Sequence, residues 1–573
     1  MPHITTSAAG QPGRGRWRWA AASALVAAVV VGLGGSASPT GGPARDPTGP
    51  GPGVLAAVWT HPLRFVGLGF DEGSRLDTAS GTLLRWSGSQ LWALDVRTGR
   101  IRWTQQVDDA RRGPRAFVDK VVVGDGVVVV TGGVRPAEPP VLTTGFRVSD
   151  GRRMWRVRNS HPVTAEGHLL VSRPDDGSLS GIDATTGAVR WTSRLPAGCT
   201  TLAERADEVI ALVLACGADR LVMALAGHSG RKIWQVPLPA AGPASDFLQV
   251  RGSAVLWGNK DDFRLVNAAG RVVATHQPGL KPGRTDLLAA ADVALLRTHD
   301  GHPGPGLLTA VDLATGAIRW RTTTTAYEMV LARDAAYAVA KLPDPLLPAA
   351  LMVMDLSTGR VTATATHLVG SVPGTPNFSV LGVADGLLLI RRVTSSGSGS
   401  TTVDVTAYRT VTPVPAGYAG AAGPADWPDA CGLLSAADLA AAVPGVRYRA
   451  FPRAVADPAP GLPRAVTCNY QAAPVTGPAV GVSVRWVGSD VAQAAGLMAD
   501  PSAWHNGTAN PIDGADEAVA VSSGSPVVHI EVILRVGRRI VSVSWTGDVR
   551  SHDPLACHTL AARIAAHLHA LPG

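Results

Sequence analysis

The chain has 573 residues, 46% of them hydrophobic and 17% charged, enough for two or more packed domains and incompatible with a disordered protein. Its net charge of +8 comes from basic residues scattered along the sequence. Without a dense basic block there is no nucleic-acid-binding arm, and no nucleic acid is expected as a partner.

In chain order, residues 1–18 form a basic segment with Arg14, Arg16 and Arg18, followed by an uncharged run over 19–35 (WAAASALVAAVVVGLGG). These are the two parts of an export segment. At about 17 residues the run is at the short edge of what spans a bilayer, so it reads as a signal peptide or a transmembrane anchor. Gly35 and Ala37 offer a small-residue cleavage site before Ser38. The basic segment then stays cytoplasmic, and the body is held outside the cell membrane or, if the segment is cleaved, secreted. Residues 36–53 are a Pro/Gly spacer.

A repeat follows. LWALDVRTGRIRW (91–103), LSGIDATTGAVRW (179–191), LTAVDLATGAIRW (308–320) and LMVMDLSTGRVTA (351–363) are copies of one unit, with weaker copies at 143–155, 221–234 and 263–274. The equivalent glycines run from Gly99 to Gly359 at a mean step of about 43 residues, the period of a four-stranded propeller blade. Each unit predicts a β-hairpin whose turn is Asp-x-x-Thr-Gly, with Gly99, Gly187, Gly316 and Gly359 free to take positive φ. Asp95, Asp183, Asp312 and Asp355 are placed to accept hydrogen bonds from turn amides. Trp103, Trp155, Trp191, Trp234 and Trp320 recur four residues after the glycine and can fill the gap between adjacent twisted sheets. A second hairpin precedes each unit, giving four strands per blade.

Residues 370–413 hold three strands of a further blade, and LAAVWTHPL (55–63) is a lone strand whose Trp59 looks like the repeat tryptophan. The N-terminal strand would complete that last blade and close an eight-bladed ring with no free sheet edge, seven blades being the alternative. The repeats over 54–413 resemble the PQQ-like (quinoprotein dehydrogenase-like) β-propeller family, whose hallmark is Ala-x-Asp-x-x-Thr-Gly-x-x-x-Trp. The expected fold is therefore all-β, a propeller followed by a small α+β domain.

Export favours disulfides among Cys199, Cys216, Cys431, Cys468 and Cys557. A two-residue turn at Asp207-Glu208 places Cys199 opposite Cys216 on neighbouring strands, within bridging reach. The remaining three cysteines allow three pairings with one thiol left over.

Residues 414–426 read as a linker, and 427–573 as an α+β domain. Ser435 is placed as N-cap with Asp438 three residues on, opening a helix that Pro444-Gly445 ends. Strands are expected at 465–471, 480–487, 527–536 and 539–547, with helices at 491–498 and 554–571. Cys-x-Leu-Leu-Ser-x-x-Asp, Cys468 with Tyr470, and GADEA (514–518) resemble small secreted or lipoprotein domains of high-GC Gram-positive bacteria, and the predominance of Arg over Lys suggests a high-GC bacterial genome. That resemblance implies a binding or sensor-like module and a Cys431–Cys468 pair.

Catalytic motifs are sparse. There is no phosphate loop, Gly-x-Ser-x-Gly elbow, His-Glu-x-x-His or Cys-x-x-Cys. His567 and His569, two apart on a helix, point to different faces and suit a solvated helix end better than a metal pair. Asp261-Asp262 fits an exposed loop, and the Asn506 sequon carries little weight. A PQQ- and calcium-dependent alcohol or sugar oxidoreductase is the enzymatic alternative, but its adjacent cysteines are missing and the blades leave little room for long loops. No catalytic, cofactor-binding or metal-binding residue is assigned. The sequence points to a non-catalytic binding or scaffold propeller, membrane-tethered or secreted, presenting loops to a protein or glycan partner; an extracytoplasmic sensor is the further alternative.

Overall fold

The computed structural model describes residues 55–572 except 67–71, 108–115, 135–141, 159–161, 167–168, 173–177, 239–246, 259–262, 276–283, 291, 300–305, 325–327, 333, 342–345, 370–377, 396–399, 410–420, 454–465, 474–476, 500–506, 524–526 and 549–553. The export segment, the Pro/Gly spacer, Asp261-Asp262 and Asn506 lie outside the described residues. No described helix is long and apolar enough to cross a membrane.

The described residues up to 409 form eight four-stranded antiparallel sheets, as in a β-propeller. In chain order the first seven cover 72–106, 116–158, 162–194, 199–238, 247–275, 284–324 and 329–369, each a simple meander. Strand chemistry follows position. Val209–Cys216 (VIALVLAC), between two neighbours of the fourth sheet, is apolar on both faces and almost wholly buried. Ile101–Gln106 (IRWTQQ), at the outer edge of the first sheet, buries only Trp103.

The eighth sheet joins distant segments. Strands Phe378–Ala384, Leu387–Ser395 and Ser400–Arg409 are completed by Ala56–Val66, which runs antiparallel to the last from Ala56 opposite Arg409 to Val66 opposite Ser400. First strands of successive sheets adjoin, and Phe378–Ala384 adjoins Glu72–Asp77 of the first sheet. Buried Arg85 crosses the same seam, donating to the carbonyls of His61 (2.5 Å) and Val403 (2.7 Å), with its Nη1 3.0 Å from His61 Nδ1. Burial, and the guanidinium beside it, lower the His61 pKa to about 4, so the imidazole is neutral there.

In the fourth sheet Cys199 stands opposite Cys216, but the route differs from a plain two-residue turn. Ala206 pairs with Ile210, so three residues make the turn, and a bulge between Thr201 and Ala203 restores the register. Leu202 is the extra residue and points outward, half exposed.

The C-terminal part is a seven-stranded antiparallel sheet in the order Arg447–Arg453, Thr467–Ala473, Ala479–Val487, Arg539–Asp548, Val527–Val536, Glu517–Ser523, Thr508–Ala509. Helices Ala436–Ala442, Val491–Met498 and Pro554–Ala570 accompany it, the last packing on the strands Val527–Val536 and Arg539–Asp548. The strands Arg447–Arg453, Glu517–Ser523 and Thr508–Ala509 have no counterpart in the sequence reading. Ser435 and Asp438 form a complete capping box, although the helix they open is only seven residues long.

Residues 421–426, read as the end of a linker, are built into this domain. Ala421 and Ala422 are buried, Ala421 bridges to Gly488, and Trp427 Nε1 donates to the Ala422 carbonyl at 3.1 Å. The domain core also takes in Leu346, Leu347 and Ala350 of the seventh sheet region, and the Leu347 amide donates to the Arg485 carbonyl at 3.1 Å. Propeller and C-terminal domain therefore share a core.

Candidate functional site

The repeated turn is built around one carboxylate. In the first sheet the Gly99 amide donates to the Asp95 carbonyl (2.8 Å) and the Asp95 amide to the Arg100 carbonyl (2.9 Å). Asp95 Oδ1 accepts from the Thr98 amide (2.9 Å) and hydroxyl (3.0 Å). The same set recurs at Asp312 and Asp355 with Thr315 and Thr358, and at Asp183 the Thr186 amide donates while the hydroxyl comes from Thr185. Gly99 has φ +67° and Gly187 φ +73°, a region that costs other L-residues about 1–2 kcal/mol.

The sequence reading missed the partner of the second carboxylate oxygen. Seven residues after the aspartate, Arg102 reaches Asp95 Oδ2 at 2.6 Å, Arg190 reaches Asp183, and Arg319 reaches Asp312 at 2.7 Å while also pairing with Asp292 at 2.6 Å. The signal was present as the recurring Arg-Trp pair that ends three of the four strongest copies. The hydrogen bond from Arg319, then those from Thr315, hold Asp312 well below the usual carboxylate range. At Asp183 burial opposes ionisation, but the bonds from Thr185, Thr186 and Arg190 outweigh it. Asp355 has Thr362 in place of the arginine and is lowered to about 2 by Ser357 and Thr358.

The tryptophans join one sheet to the next. Trp59, Trp103, Trp155, Trp191 and Trp320 donate from Nε1 to the carbonyls of Val96, Val148, Ala184, Gly227 and Leu356, at 2.6–2.9 Å. Each acceptor lies three residues before the turn glycine of the following sheet. The same glycine is the seat for the ring: a Cβ on Gly99 would lie 2.6 Å from Trp59 Cδ2, and one on Gly151 2.6 Å from Trp103 Cδ2. The glycine thus serves both the turn and the joint.

Three joints depart from this pattern, the one after the seventh sheet because its tryptophan position is Ala363. Trp234 rests against Gly270, but its Nε1 has no hydrogen-bond partner. Between the fifth and sixth sheets the tryptophan position is Ala274, and Asn267 Nδ2 donates to the Leu313 carbonyl at 3.0 Å, the acceptor that an indole would have used. Gly316 there rests on the backbone of Val273.

The signature aspartates stand on four different sheets and do not converge. Each uses its oxygens within its own hairpin, which does not suit a metal or quinone centre. Among the described residues no group of three His, Cys, Asp or Glu side chains could hold a metal ion. Cys199–Cys216 and Cys431–Cys468 are disulfides. Cys557 is a buried free thiol, its Sγ 3.6 Å from the Val543 carbonyl and its pKa pushed up to about 12 by burial. Tyr470 donates to the Cys431 carbonyl at 3.1 Å beside the second disulfide. Asp516 and Glu517 of GADEA pair with Arg535 at 2.9 Å. His567 and His569 diverge, with Nδ1 of the first 2.9 Å from the Leu433 carbonyl and Nε2 of the second 2.7 Å from the Gly514 carbonyl.

The family model described as outer membrane protein assembly factor BamB matches residues 87–322. No curated protein matches the chain. Similar solved structures include BamB from Moraxella catarrhalis (15% identity, 61% of this chain and 99% of that chain, TM-score 0.38). Quinohemoprotein alcohol dehydrogenase from Comamonas testosteroni (12%, 65% and 80%, TM-score 0.37) and Sqt1 from Saccharomyces cerevisiae (11%, 59% and 97%, TM-score 0.37) are also similar.

Proposed function

The repeats of this chain belong to the PQQ-like β-propeller family, and from that premise we propose that the protein is a non-catalytic binding or scaffold propeller outside the cytoplasm. Its partner is a protein or glycan. The observation that carries the reading is that every signature residue is already committed to the architecture. The aspartates are held within their own hairpins and the tryptophans and glycines pack within the joints, which leaves the loops and the C-terminal domain as the working surface. The family's description as an assembly factor supports the same role.

In this reading the propeller has eight blades. Ala56–Val66 closes the last, and the contact of Phe378–Ala384 with Glu72–Asp77 supports closure. Residues 19–35 tether the body to the membrane or are removed on export, and the two disulfides suit an oxidising compartment. The core shared through Leu346, Leu347 and Ala350 makes propeller and C-terminal domain a single presenting body.

Benzophenone side chains, which insert into C–H bonds of protein and glycan alike, test this when placed at exposed Arg97 and at exposed Leu555 of the C-terminal domain. In native cells we expect a discrete adduct from at least one position. The absence of any discrete adduct from either would count against the scaffold reading.

A further inference from the structure

The joint between the fifth and sixth sheets has lost its tryptophan and kept much of the space. Five other joints hold an indole that is hydrogen-bonded to the next sheet. At Ala274 a cavity of about 320 Å³ remains, with apolar walls from Phe263, Leu296, Val311 and Ile318 and a polar lining that includes Thr298, Thr309 and Arg321. Asn267 already satisfies the Leu313 carbonyl, so the joint has no unpaired acceptor calling for an indole N–H.

We propose that this vacancy is a binding site for a small planar aromatic molecule of one or two fused rings. Enclosed apolar cavities of about 150 Å³ bind benzene, and this partly open one is about twice as large. The walls come from two sheets facing each other across the joint, the fifth supplying Phe263, Val273 and Ala274 and the sixth Leu296, Thr309 and Ile318, beside a Gly316 seat that the Val273 backbone fills. The Thr309 hydroxyl offers a hydrogen bond to a polar substituent, while that of Thr298 is shared with Thr285 Oγ1 at 3.4 Å. The site is independent of whether the propeller is a scaffold.

Indole is the probe. Saturation-transfer NMR on the full chain is expected to show saturable binding, with a saturable rise in Tm. Ala274→Trp, which places the repeat residue at the cavity wall, is expected to weaken binding by about tenfold or more. Trp320→Ala, which vacates a sister joint, is expected to add a second indole site and to regain Tm with indole. If Ala274→Trp does not fold, Ala274→Leu fills part of the cavity and is expected to bind indole more weakly than the wild type. Failure of the wild type to bind indole while Trp320→Ala does would overturn the proposal. So would equal binding by the wild type and the filled variants.

Discussion

If the turn glycine is the seat of the preceding tryptophan, Gly151→Ala has two costs that can be separated. The backbone cost arises because Gly151 has φ +70°, which costs an alanine about 1–2 kcal/mol. The contact cost arises because the new Cβ would stand 2.6 Å from Trp103 Cδ2, and relieving such overpacking typically costs about 1–3 kcal/mol. Trp103→Ala alone should cost about 3–5 kcal/mol, since it empties a site only 8% exposed and leaves the Val148 carbonyl without its donor at 2.6 Å. In the Trp103→Ala background only the backbone cost of Gly151→Ala remains. The double-mutant cycle should therefore show a coupling of about 1–3 kcal/mol, measurable by urea denaturation followed by circular dichroism. Equal costs for Gly151→Ala in both backgrounds would refute the seat and leave the glycine as a turn residue only.

Three further outcomes follow from the geometry. Replacing Cys199 and Cys216 by serine should lower stability by about 3 kcal/mol, because the bridge spans 17 positions; a loss near zero in the same denaturation assay would show that the strand pairing holds without it. Cys557 should resist iodoacetamide in the native protein and react fully in denaturant, and rapid native labelling by mass spectrometry would contradict its burial. The His61 pKa is depressed from 6.5 to about 4, so the unfolded chain binds the proton first: this site costs no stability above pH 6.5 and destabilises the fold as pH falls from 6.5 to about 4. His61→Gln should flatten that part of the pH profile, and an unchanged slope would remove His61 as its source.

Much of the repeat was legible because its chemistry is local. The Asp carboxylate, the Thr hydroxyl and the Gly φ are satisfied within five residues of one another, so the pattern Asp-x-x-Thr-Gly declares its own geometry. The arginine was harder to read because it acts across the hairpin, seven residues from its aspartate, and was counted with scattered surface charge. The seating of Trp103 on Gly151 joins residues of different sheets and has no signal at either position alone. Registers fail in the same way. The cysteine pair was placed correctly from an assumed two-residue turn, but the true turn has three residues and Leu202 bulges to compensate. The sharing of Leu346 and Leu347 with the C-terminal core was hidden because two apolar residues beside prolines carry no periodicity that would name their partner.

The most direct test of the claim that the signature serves architecture is to add PQQ and Ca²⁺ to the purified chain, record the absorbance spectrum, and assay dye-linked oxidation of alcohols and sugars. The account predicts no bound-quinone spectrum and no dye reduction above the protein-free control. A stoichiometric quinone spectrum accompanied by turnover would contradict it.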